Sequence, residues 1–464
     1  MEVHKMKEYK ITFIEALGVL IVIFGILSYF IIGQKMTPHV PILLAFTVLM
    51  FYGKIKGVSW EEIHNGISEG VKPGIIPIII FLLIGVLVAS WIAAGTIPTI
   101  MVLGFKIISV KWFLPTVFVT CSIVGLTVGS SFTTISTIGI AFLGIGGIIG
   151  YDPAMTSGAI VSGAFLGNNI SPLSDTTNLA SGIGKVNLFD HIMNEFWTVI
   201  PAAIISLVGF VIIGTTPQGS SLGKITEMSK ILENHFWISP ITLLPVLVLF
   251  IFAWKKIPAI PTLLTGSIIA IGLDIINNTH ITAVEISNIV MNGYVANTGS
   301  KDIDNLLTRG GITSMLGSVS LIILALSLGG LLVKFKIVTT LINRLTKYVN
   351  NIGRLILVTA VSSVGINFLI GEQYLSIILP GETFKEAFER NDIDKKYLTR
   401  TLADAGAAVN SLVPWGVSGT FISGALKINA FDYLPYAFFP ILCPIITVLL
   451  GYIIVKPKYK NFKS

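Results

Sequence analysis

One stretch carries most of the polar chemistry of this chain. Gly167-Asn168-Asn169-Ile170-Ser171-Pro172-Leu173-Ser174-Asp175-Thr176-Thr177-Asn178 sets eight oxygen-bearing side chains, one of them a carboxylate, around a proline. An unsatisfied polar group facing lipid costs roughly several kcal/mol. Such a run must therefore be buried in protein or line a wet cavity. A carboxylate at membrane depth is costly enough that a functional role is the default reading. Asp175 can hold Na⁺ when ionised and a proton when not, and competition for one group is enough to couple the two ions. Ser171, Ser174, Thr176, Thr177, Asn168, Asn169 and Asn178 supply the hydroxyl and amide oxygens that a hard cation prefers. Asp175 also suits a helix N-cap, with Ser174 and Thr176 as ordinary capping chemistry. The two readings agree, because transporters bind ions where discontinuous helices end.

A second run, Ala403 to Thr420, offers Asp404, Asn410, Ser411, Ser418 and Thr420. Asp404 is a candidate ion ligand, or else the surface partner of Arg400 one turn earlier. Glu372 follows Gly371 at the end of an apolar segment. It either turns into the protein at a helix break or ends in water. Asp190 and Asp432 sit in matching Lys-x-Asn-x-Phe-Asp contexts and read as helix N-caps. His191, His235 and His280 read as isolated residues in or near loops and suggest no metal site. Cys121 and Cys443 read as small core residues, and Trp415 as a packing aromatic. Gly182-Ile183-Gly184-Lys185 lacks the spacing of a phosphate-binding loop, so neither ATP drive nor any cofactor is expected.

The elements that must hold these residues are membrane helices. Only 12% of the 464 residues are charged, against about 25% in soluble domains. With mean hydropathy +0.84, the chain reads as an all-α polytopic membrane protein, its partner the lipid bilayer. Its net charge of +7 comes from Lys and Arg in short loops, as topology requires, and does not point to nucleic acid. Apolar segments at 11–32, 40–52, 75–94, 112–128, 135–149, 191–213, 237–254, 259–276, 312–333, 355–370, 374–379 and 433–455 predict about 10–12 membrane segments, several too short to span alone. Residues 97–108 predict a broken or interfacial helix. Residues 54–71 predict an amphipathic helix on the membrane surface. Residues 154–169 and 401–413, rich in small residues, predict re-entrant or discontinuous helices.

The chain also repeats itself. A shift of 242 residues matches eight of 23 positions in 168–190, among them Asn168/Asn410, Pro172/Pro414, Lys185/Lys427 and Asn187/Asn429. Average composition would give roughly one or two. The predicted repeats are 11–214 and 237–456, joined by a linker at 215–236. Loops 334–354 and 385–400 hold ten Lys or Arg, whereas their first-half equivalents hold Lys106 and Lys111. The positive-inside rule then places the two sets on opposite sides, with both termini cytoplasmic in a cell inner membrane. That arrangement is an inverted repeat, a recurring plan of secondary transporters.

The residues resemble the NhaC family of Na⁺/H⁺ antiporters, within the ion-transporter superfamily. Ser171-Pro172-Leu173-Ser174-Asp175-Thr176-Thr177-Asn178-Leu179 is similar to that family's central signature. Gly371-Glu372-Gln373-Tyr374-Leu375-Ser376, Thr399-Arg400-Thr401-Leu402-Ala403-Asp404, Leu412-Val413-Pro414-Trp415 and Tyr433-Leu434-Pro435-Tyr436-Ala437 resemble its later ones. The resemblance covers most of the chain. It implies a transporter rather than an enzyme: a sodium-linked exchanger working by alternating access, with Na⁺ and H⁺ as the ions and Na⁺ held at Asp175. The family also includes a malate/lactate exchanger coupled to both ions, so a small organic solute such as a carboxylate or amino acid is the alternative cargo. A homodimer is compatible with this reading. The chain departs from the family pattern in three places. Asn168-Asn169 stand where Asp-Lys is common, Ala403 where Glu is common, and Gly416-Val417-Ser418-Gly419 where Asn-Thr-Cys-Gly is common. An aspartyl dyad of Asp175 and Asp404 in an intramembrane hydrolase is the reading from a different class, disfavoured by the absence of a Gly-x-Gly-Asp pattern.

Overall fold

The computed structural model describes residues 11–107, 109–214, 222–346 and 349–453. Among these the protein is helical, with a lone antiparallel bridge between Tyr294 and Arg309. Among the described residues eight helices are long and apolar enough to cross a membrane. The number reaches ten when two bent pairs count as one span each: Ile225–His235 with Pro240–Trp254, at 90°, and Ala430–Tyr436 with Phe438–Ile453, at 56°. The protein is a multi-pass membrane protein.

Two helices at the centre stop short. Pro153–Asn169 is almost wholly buried, ends at Ile170, and after a turn the chain restarts as Asp175–Gly184. In the second half Lys395–Leu402 loosens into a π turn at Ala403–Ala407 and a 3₁₀ turn at Ala408–Leu412, and restarts as Val417–Leu426. Pro172 and Pro414 lie in the two breaks, where a missing N–H and fixed φ oppose a continuous helix.

Each break is seated on a glycine corner. Gly129 ends helix Phe113–Val128 in the left-handed region (φ 71), and a Cβ there would lie 2.6 Å from Leu173 Cβ. Gly371 ends Ile352–Ile370 the same way (φ 76), and the Val417 N–H donates to its carbonyl at 2.7 Å. Only glycine meets both demands without strain. Further local conformations recur at the 242-residue spacing. Lys185 and Lys427 are left-handed helix ends (φ 53 and 52). Asp152 and Asp394, and likewise Asn187 and Asn429, are N-caps whose side chains accept a backbone N–H two residues on. The caps before Leu188 and Ala430 are therefore these asparagines. Asp190 and Asp432 stand in the first helical turn instead, where the asparagine at the preceding polar position has already taken the free N–H groups.

The tightest interface joins Phe113–Val128 to Pro153–Asn169. Added Cβ atoms at Gly163 and Gly167 would stand 2.3 and 2.2 Å from the Phe118 and Ser122 carbonyls, so the backbones touch. The same chemistry corrects the expected surface helix. Trp60–Val71 runs through a 3₁₀ turn into Ile75–Ala93 as one 34-residue segment. A Cβ on Gly70 would lie 2.5 Å from Gly330 Cα on Ile312–Lys334. Its small, apolar face packs on a helix rather than on lipid. Of the expected linker, 215–221 lie outside the described residues, and the rest is helix Leu222–His235, in contact with Thr96–Ile107, where Lys106 pairs with Glu233 at 3.9 Å. Thr96–Ile107 is the short helix foreseen at 97–108 (residue 108 lies outside the described residues), pinned where Thr96 and Thr99 bond Thr242.

Candidate ion-binding site

Asp175 opens its helix but does not cap it. Ser174, in extended backbone, is the N-cap, its hydroxyl accepting the Thr177 N–H at 3.4 Å. The carboxylate is left at the positive end of the helix dipole, where negative charge is stabilised. Its Oδ1 accepts the Thr176 N–H at 2.9 Å, and Oδ2 accepts the Tyr374 hydroxyl. Asp175 and Asn178 face a cavity of about 450 Å³. Ser130, Thr133, Asn168, Gln373, Tyr374 and Lys256 share its wall, and Phe132 closes one side, its ring 4.5 Å from that of Phe421.

The neighbours are ordered by one another. The Asn168 amide donates to Thr176 Oγ1 at 3.2 Å, and Thr176 shares a proton with Ser174 Oγ at 3.0 Å. Thr177 Oγ1 donates to the Asn168 and Asn169 carbonyls at 3.2 and 3.1 Å, tying the two short helices across the break. Asn178 donates to the Pro172 and Ser174 carbonyls, and Ser171 to that of Leu126.

Glu372 does not end in water. It is fully buried and caps Gln373–Arg390, Oε2 accepting the Leu375 N–H at 2.8 Å, while Oε1 has no partner. Burial follows from Gly371, whose left-handed turn drives the chain inward. Ser130 plays the same capping part in the first half.

The residues of the second run stand apart from this cavity. Asn410 donates to Asn367 Oδ1 at 2.9 Å and accepts the Ser418 N–H at 2.8 Å. Ser411 and Thr420 donate to the Ala408 and Pro414 carbonyls, and the Ser418 hydroxyl is buried without a partner. None of the four lines the Asp175 cavity; Thr420 borders a separate one of about 740 Å³ with Ser423 and Asp432. Trp415 packs on Phe368 and donates to its carbonyl.

Asp404 and Arg400 are buried, 0% and 2% exposed, and form no surface pair. Asp404 instead shares the Asn169 amide with Glu195, a residue of helix Leu188–Ile213 that motif reading passed over. His191, one turn before Glu195, is buried rather than at a loop, because Thr399 takes its Nδ1 at 3.0 Å. Glu195 carried a signal in the sequence: it and His191 stand four residues apart on one helical face, inside a helix apolar enough to cross a membrane.

A carboxylate at a helix start, beside hydroxyl and amide oxygens and open to water, is chemistry suited to a monovalent cation. A model of the Na⁺/H⁺ antiporter family matches residues 1–177 and 163–454. The chain belongs to this family. It is 41% identical over 437 residues to the Na⁺/H⁺ antiporter NhaC of Alkalihalophilus pseudofirmus, covering 94% of each protein. It is 35% identical to the arginine/ornithine antiporter ArcD of Halobacterium salinarum (93% of this chain, 91% of that protein). It is 30% identical to the malate-2H⁺/Na⁺-lactate antiporter of Bacillus subtilis (93% and 94%). For a member of an antiporter family, Asp175 and its cavity are the natural place to look for the cargo.

Proposed function

We propose that this chain is a secondary active transporter that exchanges Na⁺ for H⁺ by alternating access. The carrying observation is the Asp175 carboxylate at the start of a broken helix, in a cavity that water reaches. Near full-length similarity to a relative named as a Na⁺/H⁺ antiporter supports the same reading. Na⁺ binds the Asp175 oxygens, with Thr176, Asn168 and Asn178 completing its shell from hydroxyl and amide oxygens. Ser171, Ser174, Thr177 and Asn169 hold that shell in shape, and Glu372 anchors the facing helix. Asn410, Ser411, Ser418 and Thr420 form the equivalent scaffold around the second break. The left-handed corners and caps shared between halves support two repeats, 11–214 and 237–456, and the loop charges support their inversion in a cell inner membrane with both termini cytoplasmic.

A second cargo has support of its own. The cavity of about 450 Å³ is larger than one dehydrated cation requires, and two relatives carry the names of organic-solute antiporters. The experiment is reconstitution in proteoliposomes with an imposed Na⁺ gradient and a pH dye inside. Lumenal pH that follows Na⁺ alone supports Na⁺/H⁺ exchange. Movement that requires malate, lactate, arginine or ornithine replaces it with solute exchange. Asp175→Asn is expected to abolish Na⁺-dependent flux in protein that still elutes as a single folded species, and undiminished flux would remove Asp175 from the site.

A further inference from the structure

A second acidic centre lies deeper than the first. Glu195 and Asp404 are each 0% exposed. They come from different elements, Leu188–Ile213 and the π turn Ala403–Ala407. One amide serves both: Asn169 Nδ2 donates to Glu195 Oε2 at 3.1 Å and to Asp404 Oδ1 at 3.3 Å. That shared donor sets the two carboxyls side by side. Glu195 Oε1 and Asp404 Oδ2 have no partner, although both are sealed from solvent. Two buried, adjacent carboxylates cannot both stay ionised, and one proton held between them relieves the repulsion.

The charged and titratable groups around the pair settle its charge. Arg400 is the nearby cation; its Nε donates to Thr447 at 3.1 Å and its Nη2 has no partner. His191 Nδ1 lies 3.7 Å from Glu195 Oε1 and is bonded to Thr399. The Cys443 thiol donates to Asp404 at 3.0 Å. With a neutral imidazole and thiol, two carboxylates and one guanidinium sum to −1. A single proton brings this buried cluster to zero, the state that low-dielectric surroundings favour.

The geometry points to Glu195 and Asp404 as a shared one-proton site, separate from the cation cavity at Asp175, that supplies the proton exchanged for Na⁺. The inference rests on the Na⁺/H⁺ reading above. Neither Glu195 nor Asp404 lines the Asp175 cavity. A different cavity, of about 550 Å³, reaches the cluster at Arg400, with Asp190, Asp394 and Lys396 on its walls. The proton thus has its own approach. The two centres meet at adjacent residues: Asn169 holds the carboxyl pair, Asn168 holds Thr176 beside Asp175, and Thr177 bonds both their carbonyls. When the proton leaves, the pair gains a negative charge and draws harder on the Asn169 amide. That pull reaches the ends of both short helices, where Na⁺ binds. No space for a hydrated ion is required at the pair, because a proton occupies none.

The test compares two fluxes in the same proteoliposomes: Na⁺-driven movement of lumenal pH, and exchange of ²²Na⁺ for Na⁺, which moves no net proton. Glu195→Gln and Asp404→Asn are each expected to cut proton movement at least about tenfold while ²²Na⁺ exchange stays within about threefold of the parent. Glu195→Asp, which keeps an ionisable group, is expected to restore proton movement with a displaced pH profile. Parent-like proton movement and pH profile in Glu195→Gln would overturn the inference. A parallel fall of both fluxes would also overturn it, placing the pair in the cation path or the fold. A parent protein that moves Na⁺ with no pH change would instead sink the Na⁺/H⁺ reading, a result distinguishable before any variant is made.

Discussion

Asp175 and the Glu195–Asp404 pair use the same functional group in opposite surroundings. Asp175 is exposed to a cavity, held by a phenol and one backbone N–H, at the start of a helix. The pair is shut away, bridged by a single amide, with a thiol donating to Asp404 alone. A cation must shed water and collect several oxygens, so its carboxylate needs room and flexible neighbours. A proton needs only a basic oxygen, so its carboxylates can be packed solid. On the proposed assignment, burial rather than residue type divides the labour among the acids of this protein. Asn168 and Asn169 are adjacent in the chain, and each neutral amide faces a different centre.

The comparison breaks most completely if the scaffold that both centres share is pushed apart. Gly167 lies two residues before Asn169, and an added Cβ would stand 2.2 Å from the Ser122 carbonyl and 2.4 Å from the Leu126 nitrogen. These are backbone atoms that cannot swing aside. Gly167→Val should cost about 3 kcal/mol in stability and remove both Na⁺ self-exchange and proton movement. Thermal unfolding of the detergent-solubilised protein checks it. Gly182→Ala is the control, with no atom within 4 Å of the new carbon. A valine variant that melts with the parent would mean the two helices do not depend on this contact.

How far the sequence foretold these centres depended on what each one exposed. Asp175 announced itself because Pro172 breaks a helix and so dense a polar run cannot face lipid, so the break and its carboxylate were legible together. Gly129 and Gly371 stand 242 residues apart, at the repeat spacing, so the two corners can be paired from the sequence, although nothing in it shows that Gly371 turns Glu372 inward. Glu195 was passed over because it sits inside a continuous helix, Leu188–Ile213, with no chain break beside it to mark it. Its meaning comes from Asn169 and Asp404, which lie 26 and 209 residues away in the chain. Arg400 misled in the same way. Counted as a loop cation, it is buried at the inner end of a cavity, its Nε bonded to Thr447. Amphipathicity misled at Trp60–Val71 because a glycine face that packs on another helix has the same period as one that lies on lipid.

Tyr374 offers a way to sharpen the open side alone. Its hydroxyl donates to Asp175 Oδ2, a bond to a charged group worth about 1.5–3 kcal/mol. Na⁺ must displace that bond to reach the oxygen. Tyr374→Phe should therefore tighten Na⁺ binding about tenfold and slow its release, lowering maximal flux. The pH profile set by Glu195 and Asp404 should not move, because Tyr374 touches neither. Isothermal titration with Na⁺ and flux against Na⁺ concentration separate the two effects. A weaker affinity would instead make the phenol oxygen a ligand of the ion.

The smallest expected effect lies on the closed side, at Cys443. Its thiol is buried and donates to Asp404 Oδ1 at 3.0 Å. A hydrogen bond to the ionised carboxylate favours that form, but a thiol is a weak donor. Cys443→Ala removes the donor and leaves a hole about one sulfur in size. Asp404 then gives up its proton less readily, so the pH of half-maximal exchange should move to the alkaline side by a few tenths of a unit, on the order of 0.5 kcal/mol. Na⁺ affinity at Asp175 should be unchanged, since the thiol faces only the carboxyl pair. Cys443→Ser, with a stronger donor, should move the same midpoint the other way. If both substitutions shift the midpoint in one direction, the response reflects the altered packing of helix Phe438–Ile453 rather than the hydrogen bond. If neither moves it while Glu195→Gln does, Glu195 alone sets the proton affinity and Asp404 serves to hold Asn169 in place.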